Sequence, residues 1–365
     1  MTNLLPERIP LIIPDDATTL ALVLVNKHYN DMVTPILYKA ATLEGIDDIK
    51  AFSYTMVSGR PKLRQYLMHL YIVHMPRDSL WDGTDPDNLI AALMIKQILM
   101  HVPNLIDLAL ALDEPIYQYL VEEPRYPFKL HSLQMTPIWD DGFFEFLRTQ
   151  PEIEAVTFWD DLEDDHSPLP GAPLQLDILP KLGSISGGKR SVSIMVPLHP
   201  VTEVTLSGVQ RNLDVHEKIS QSLAPLDSLS ESIRLTEKPW ESVIVSRCLP
   251  SLGFCWKSLS EYSLSLEVSS QFDQNSVLSF LKERVAPSHG LEIIRTSLST
   301  FSALRILRLN FYPIHLFDLT SEFCETIPEL SRFDVWKESC PTLEEVRLFG
   351  LITLKNISWA ELCKP

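Results

Sequence analysis

Two runs in this sequence place chemistry-bearing residues close together. Gly183-Ser184-Ile185-Ser186-Gly187-Gly188-Lys189 has the spacing G-x-x-x-x-G-K, in which backbone amides cradle phosphates and a following Ser or Thr holds magnesium. Arg190 stands where that hydroxyl belongs, so the run is expected to be a basic loop between structural elements and not a nucleotide site. Asp160-Asp161-Leu162-Glu163-Asp164-Asp165-His166 gathers carboxylates and an imidazole of the kind that hold a hard cation through oxygen. It lacks the glycine and alternating spacing of a calcium loop, and Pro168, Pro170, Gly171 and Pro173 follow. A solvated loop able to take up a basic peptide is the expectation.

Catalytic groups are not signalled elsewhere. The histidines contain no H-x-x-x-H pair of the zinc-binding kind, and no G-x-S-x-G elbow marks a serine nucleophile. Cys248, Cys255, Cys324, Cys340 and Cys363 are odd in number and form no C-x-x-C pair, so reduced and mostly buried thiols are expected in place of a disulfide framework or zinc finger. No enzyme, cofactor or metal is expected.

The elements that would position a binding surface are more legible. A hydrophobic share of 45% with 22% charged residues is enough to build a core. From about residue 67 the pattern L-x-x-L-x-L recurs, at Leu67/Leu70/Ile72, Leu105/Leu108/Leu110, Leu130/Leu133/Met135, Ile153/Val156/Phe158, Val201/Val204/Leu206, Leu304/Leu307/Leu309 and Leu343/Val346/Leu348. Weaker versions lie at Leu182/Ile185, Ile233/Leu235 and Leu264/Leu266. The x-L-x-L end points alternate side chains to one side of a strand, and the leading Leu packs the turn that enters it.

Amphipathic helices are expected between strands. Residues 86–101 open with Asp85 and Pro86 and are apolar nearly all round, with Lys96 and Gln97 on a narrow wet side. Others are expected at 275–286, around 141–148 burying Phe143, Phe144 and Leu147, and around 330–338. Residues 207–245 fit neither helix nor strand. The central strand positions recur at steps of 19 to 43 residues, scattered around the period of a leucine-rich repeat. The fold class is therefore α/β: an irregular leucine-rich-repeat solenoid with a parallel sheet, in which each unit buries its apolar face against the next.

The net charge of −17 argues against nucleic acid and anionic membrane. Residues 1–40 hold Glu7, Asp15, Asp16 and Asp31 against Arg8, Lys27 and Lys39, leaving −16 for the rest, so a target held by charge is expected to be basic. Pro10, Pro14, Asp15 and Asp16 interrupt the apolar opening, no run elsewhere is long enough for a membrane span, and a cytoplasmic or nuclear location is expected.

Residues 5–38, LPERIPLIIPDDATTLALVLVNKHYNDMVTPILY, resemble the F-box of fungal F-box proteins with leucine-rich repeats. Leu5-Pro6, Ile12-Ile13, Asp15-Asp16, Leu20, Leu22 and Val25, and Thr34-Pro35-Ile36-Leu37-Tyr38 carry the resemblance. Downstream, Cys340-Pro341-Thr342-Leu343-Glu344-Glu345-Val346 and Trp359 resemble the last repeat of the same proteins. The sequence departs from the family at Pro10, which falls inside the first box helix and shortens it, and at Asn26-Lys27, where Cys-Arg is usual.

The resemblance implies residues 1–40 as an F-box-like helical segment and 41–365 as the repeat array. It implies a Skp-type adaptor, and through it a cullin, bound by Leu5, Pro6, Ile9, Ile12, Leu20, Leu22, Val25, Tyr29 and Leu37. The function implied is non-catalytic recruitment of a protein target to a ubiquitin ligase. A repeat scaffold without a ligase role is the alternative. Target contacts are expected from Trp159, Phe311 and Tyr312, which fall just after expected strands, and from Trp81 and Trp139 in similar positions, because aromatic residues dominate interface hot spots, and from Asp160, Asp161, Asp164 and Asp165.

Overall fold

A strand that follows L-x-x-L must turn its second and third apolar residues to the same side and bring its leading residue under the turn. The computed structural model describes residues 27–74, 86–122, 125–159, 178–207, 213–235, 257–268, 294–312, 328–348 and 352–355, and in it that demand is met repeatedly. The leading residues Leu67, Leu105, Leu130, Ile153, Leu182, Val201, Leu259, Leu304 and Leu343 are all completely buried. Each such side chain contributes roughly 1.5–3 kcal/mol.

The chain divides into two compact units, the described residues up to Leu182 forming the first and those from Gly183 the second. The first holds α1 (Lys27–Leu37), β1 (Ala40–Glu44), α2 (Ile46–Ser58), α3 (Pro61–Arg64), β2 (His69–His74), α4 (Pro86–Met100), β3 (Asp107–Leu112), α5 (Glu114–Val121), β4 (Ser132–Met135), α6 (Asp141–Arg148) and β5 (Ala155–Phe158). Its strands pair in chain order, all parallel. The register aligns Ala41, Leu70, Leu108, Leu133 and Val156 in one buried row and Leu43, Ile72, Leu110, Met135 and Phe158 in the next. Helices α2, α4, α5 and α6 pack side by side, and α6 is capped by Asp140, whose carboxylate accepts from the Phe143 amide at 2.7 Å.

The second unit holds β6 (Ser184–Gly187), α7 (Lys189–Met195), β7 (Glu203–Leu206), α8 (Leu213–Ile219), β8 (Ser228–Leu235), β9 (Glu261–Val268), a 3-10 turn (Leu298–Thr300), β10 (Ile306–Tyr312), α9 (Pro328–Ser331), α10 (Phe333–Ser339), β11 (Glu345–Leu348) and β12 (Ile352–Lys355). Strands β6 to β11 pair in order and in parallel. Its first buried row is Ile185, Val204, Leu229, Tyr262, Leu307 and Val346.

Several expectations are corrected. β1 precedes the first expected unit, entered by Tyr38 in place of a leucine. β12 runs antiparallel to β11, so the sheet is not parallel throughout. Leu229, not Ile233, pairs with Val204, and Tyr262, not Leu264, continues that row, because β8 and β9 are longer than the two-leucine stretch that marked them. α6 buries Phe143, Phe146 and Leu147 and leaves Phe144 half-exposed. The wet side of α4 is wider than Lys96 and Gln97, since Leu89, Ile90, Leu93 and Met100 are exposed there. The stretch around 330–338 is two helices broken at Arg332, and α8 and β8 occupy the unassigned 207–245. The helix expected at 275–286 lies outside the described residues.

Leu108→Ala and Leu307→Ala each remove a central row residue and should lower stability by roughly 2–5 kcal/mol in denaturant unfolding. A cost near zero at both would show these positions are not buried.

Candidate functional site

With one side of each sheet committed to the core, the other side presents the intervening residues as an open face. In the first unit β2, β3, β4 and β5 contribute Tyr71, Ala109, Gln134 and Thr157 in register. Trp159 follows β5, its amide donating to the Met135 carbonyl at 3.0 Å. The Tyr71 and Trp159 rings meet edge to face, centroids 6.4 Å apart, although about 14 Å separates the strands that carry them if each step is ~4.8 Å. Between them the same face carries Ala109 and Ala111 on β3 and Gln134 on β4. Edge-to-face pairs contribute about 0.5–1.5 kcal/mol beyond area burial. At the start of the same face His69 Nδ1 and Asp107 Oδ2 are 2.5 Å apart on neighbouring strands.

The second unit's open face is hydroxylic and charged. Ser186, Thr205, Ser230, Ser263, Arg308 and Arg347 share one row. Arg308 and Arg347 sit directly opposite each other, an arrangement that costs energy unless compensated. Compensation comes from ion pairs of Arg308 with Glu261 and of Arg347 with Glu345, while Lys355 reaches Glu345 at 2.9 Å. Burial first, and the neighbouring Arg347 second, hold the Arg308 guanidinium below its ordinary value. Hydrogen bonding to Lys355 is the largest cause holding Glu345 below the usual carboxylate range.

Beneath this face lies a polar cluster that the spacing did not announce. In the second buried row, Leu206, Leu264, Leu309 and Leu348 are interrupted by Glu231, 2% exposed. Its carboxylate accepts from the Tyr262 hydroxyl at 2.6 Å and lies 2.7 Å from His216 Nε2. The three residues tie α8, β8 and β9 together. Removing one member of such a buried pair strands the other, so His216→Ala is expected to cost about 3–5 kcal/mol. Replacing all three by His216→Met, Glu231→Leu and Tyr262→Phe should return most of that in equilibrium unfolding. A triple variant as unstable as the single one would show that the cluster does more than satisfy its own polar atoms.

The expected site residues are placed as follows. Leu5, Pro6, Ile9, Ile12, Leu20, Leu22, Val25, Trp81, Asp160, Asp161, Asp164 and Asp165 lie outside the described residues. Tyr29 falls in α1, and Leu37 is buried, whereas Met32 and Ile36 on the same helix are exposed. Trp139 is half-buried among the rings of Phe143, Phe144 and Phe158. Phe311 and Tyr312 do not follow a strand but belong to β10, paired with Leu266 and Glu267. Gly183–Lys189 is no loop: its centre is β6 and Lys189 opens α7, which removes the strand-loop-helix that phosphate cradling needs. Tyr71 was missed, because a lone tyrosine in a strand gives no spacing signal. Among the described residues no group of three or more His, Cys, Asp or Glu is placed to hold a metal ion, and no helix is long and apolar enough to cross a membrane.

No family model and no curated protein matches this chain. Among solved structures, the leucine-rich repeat-containing protein LegL7 from Legionella pneumophila is similar at 10% sequence identity, over 94% of this chain and 90% of that one, with a TM-score of 0.37.

Proposed function

We propose that this chain is a non-catalytic, protein-binding repeat scaffold whose open sheet faces carry the binding surface. The observation that supports it most directly is the Tyr71–Trp159 pair, two large rings drawn together on the open face of the first unit. Such residues give contact area with few rotors to freeze, which is why they dominate interface energetics. Acidity of the chain favours a basic target, whose association slows with added salt as exposed charges are screened.

The finer reading is that residues 1–40, α1 included, recruit a Skp-type adaptor and its cullin, so that the bound target is delivered to a ubiquitin ligase. It rests on the resemblance of residues 5–38 to an F-box. Co-expression with the adaptor separates the two readings. If the segment works as a box, the full chain co-purifies with the adaptor, Pro6 and Ile12 exchanged for charged residues abolish this, and the repeats stay folded. A full chain that is monodisperse alone and ignores the adaptor leaves the scaffold reading without a ligase role.

A further inference from the structure

Three polar side chains converge where β2 and β3 end. His74 closes β2, Asn88 lies in the first turn of α4, and Asp113 follows β3 at the N-cap of α5. His74 Nε2 is 3.1 Å from Asn88 Oδ1, and Asn88 is 7% exposed. Asn88 Nδ2 and Asp113 Oδ2 are both buried and both lack a hydrogen-bond partner. Each unmet buried group costs roughly 1–3 kcal/mol, and native structures leave few of them. Asp113 occupies a position where its carboxylate would ordinarily accept from a helix amide, yet it makes no such bond. Burial holds its carboxyl above the usual range, with His74 opposing.

The unmet atoms define what would satisfy them. Asn88 needs an acceptor and Asp113 a donor. A cation would serve Asp113 and leave Asn88 unmet; an anion would serve Asn88 and be repelled by Asp113. We propose that His74, Asn88 and Asp113 form a binding site for an amide group, whose carbonyl accepts from Asn88 Nδ2 and whose N–H donates to Asp113 Oδ2. His74 is a positioning residue: its bond to Asn88 Oδ1 turns Nδ2 toward the ligand. The source of the amide, a main-chain peptide group or an Asn or Gln side chain, rests on the protein-binding reading above; the site's chemistry does not.

The test uses the full chain and small probes, so it is independent of whether a protein partner is found. N-methylacetamide stands for a peptide group, acetamide for a side-chain amide, and methylguanidinium for a cation. Saturable shifts of the His74, Asn88 and Asp113 backbone amide resonances are expected with an amide and not with methylguanidinium, the stronger amide naming the source. Asp113→Asn, which removes the carboxylate's charge and one of its two acceptor oxygens, should weaken that binding about tenfold or more, a loss of roughly 1.4 kcal/mol. Asn88→Leu removes an unmet donor and should raise the melting temperature of the free chain by about 2–4 °C. Absence of saturable shifts, an equal response to methylguanidinium, or a lowered melting temperature for Asn88→Leu overturns the proposal, the last because an ordered water would then hold the site. If Asn88→Leu does not fold, the titrations of wild type and Asp113→Asn decide.

Discussion

Every repeat in both units hangs on one backbone contact. The carbonyl of the residue after each leading apolar side chain accepts two successive amides of the next repeat: Met68 takes those of Ile106 and Asp107, Thr202 those of Asp227 and Ser228, Ser260 those of Arg305 and Ile306. Distances at all these junctions lie between 2.7 and 3.1 Å. A buried turn must pair its polar backbone groups, and this double acceptance does so while fixing the strand register one residue later. The leading leucine is what seals the turn from water. Hydroxyls finish the work, with Ser222 donating to the Val201 carbonyl, Ser258 to that of Leu226 and Thr342 to that of Leu304. Between strands, helix length and loop length are free to vary, which is why the steps scatter while the ladder stays regular.

That division explains what was legible in the sequence. Where the leading and two following positions are aliphatic, as at Leu105, Leu108 and Leu110, the strand could be placed from spacing alone. It failed where a buried row position carries another chemistry. Leu226-Asp227-Ser228-Leu229-Ser230-Glu231 is a full repeat entry, hidden because Glu231 replaces the third aliphatic residue. Leu259 and Tyr262 hide another, since a tyrosine stands in the row. The polar cluster of His216, Glu231 and Tyr262 thus concealed its own repeats. Gly183–Lys189 misled in the opposite sense, its glycines being read as a loop where Gly187 fills a row position of β6. The candidate site was legible in part. Trp159 stood out because it follows a strand, whereas Tyr71 matters only through a ring contact that no spacing encodes, and the unmet atoms of Asn88 and Asp113 are visible only once burial is known.

The two open faces are built on the same ladder and differ in chemistry. In the first unit two aromatic rings meet on the open face, while hydroxyls and compensated arginines line the second. Net charge, a property of the whole chain, describes neither. In a repeat fold each strand touches only its neighbours, so a substitution on an open face changes the surface without disturbing the register beneath it.

The same locality sets the cost of the polar core. A carboxylate at 2% exposure in a single-core domain would strain every element around it, since desolvation amounts to several kcal/mol. Here the charge is answered within two adjoining repeats, by a histidine from the helix before β8 and a tyrosine from the strand after it. Rows on either side return to leucine at Leu206, Leu264, Leu309 and Leu348. The His216–Glu231 contact joins α8 to β8 and the Tyr262–Glu231 bond joins β9 to β8, so the polar atoms that are costly to bury are met by elements packed directly against them.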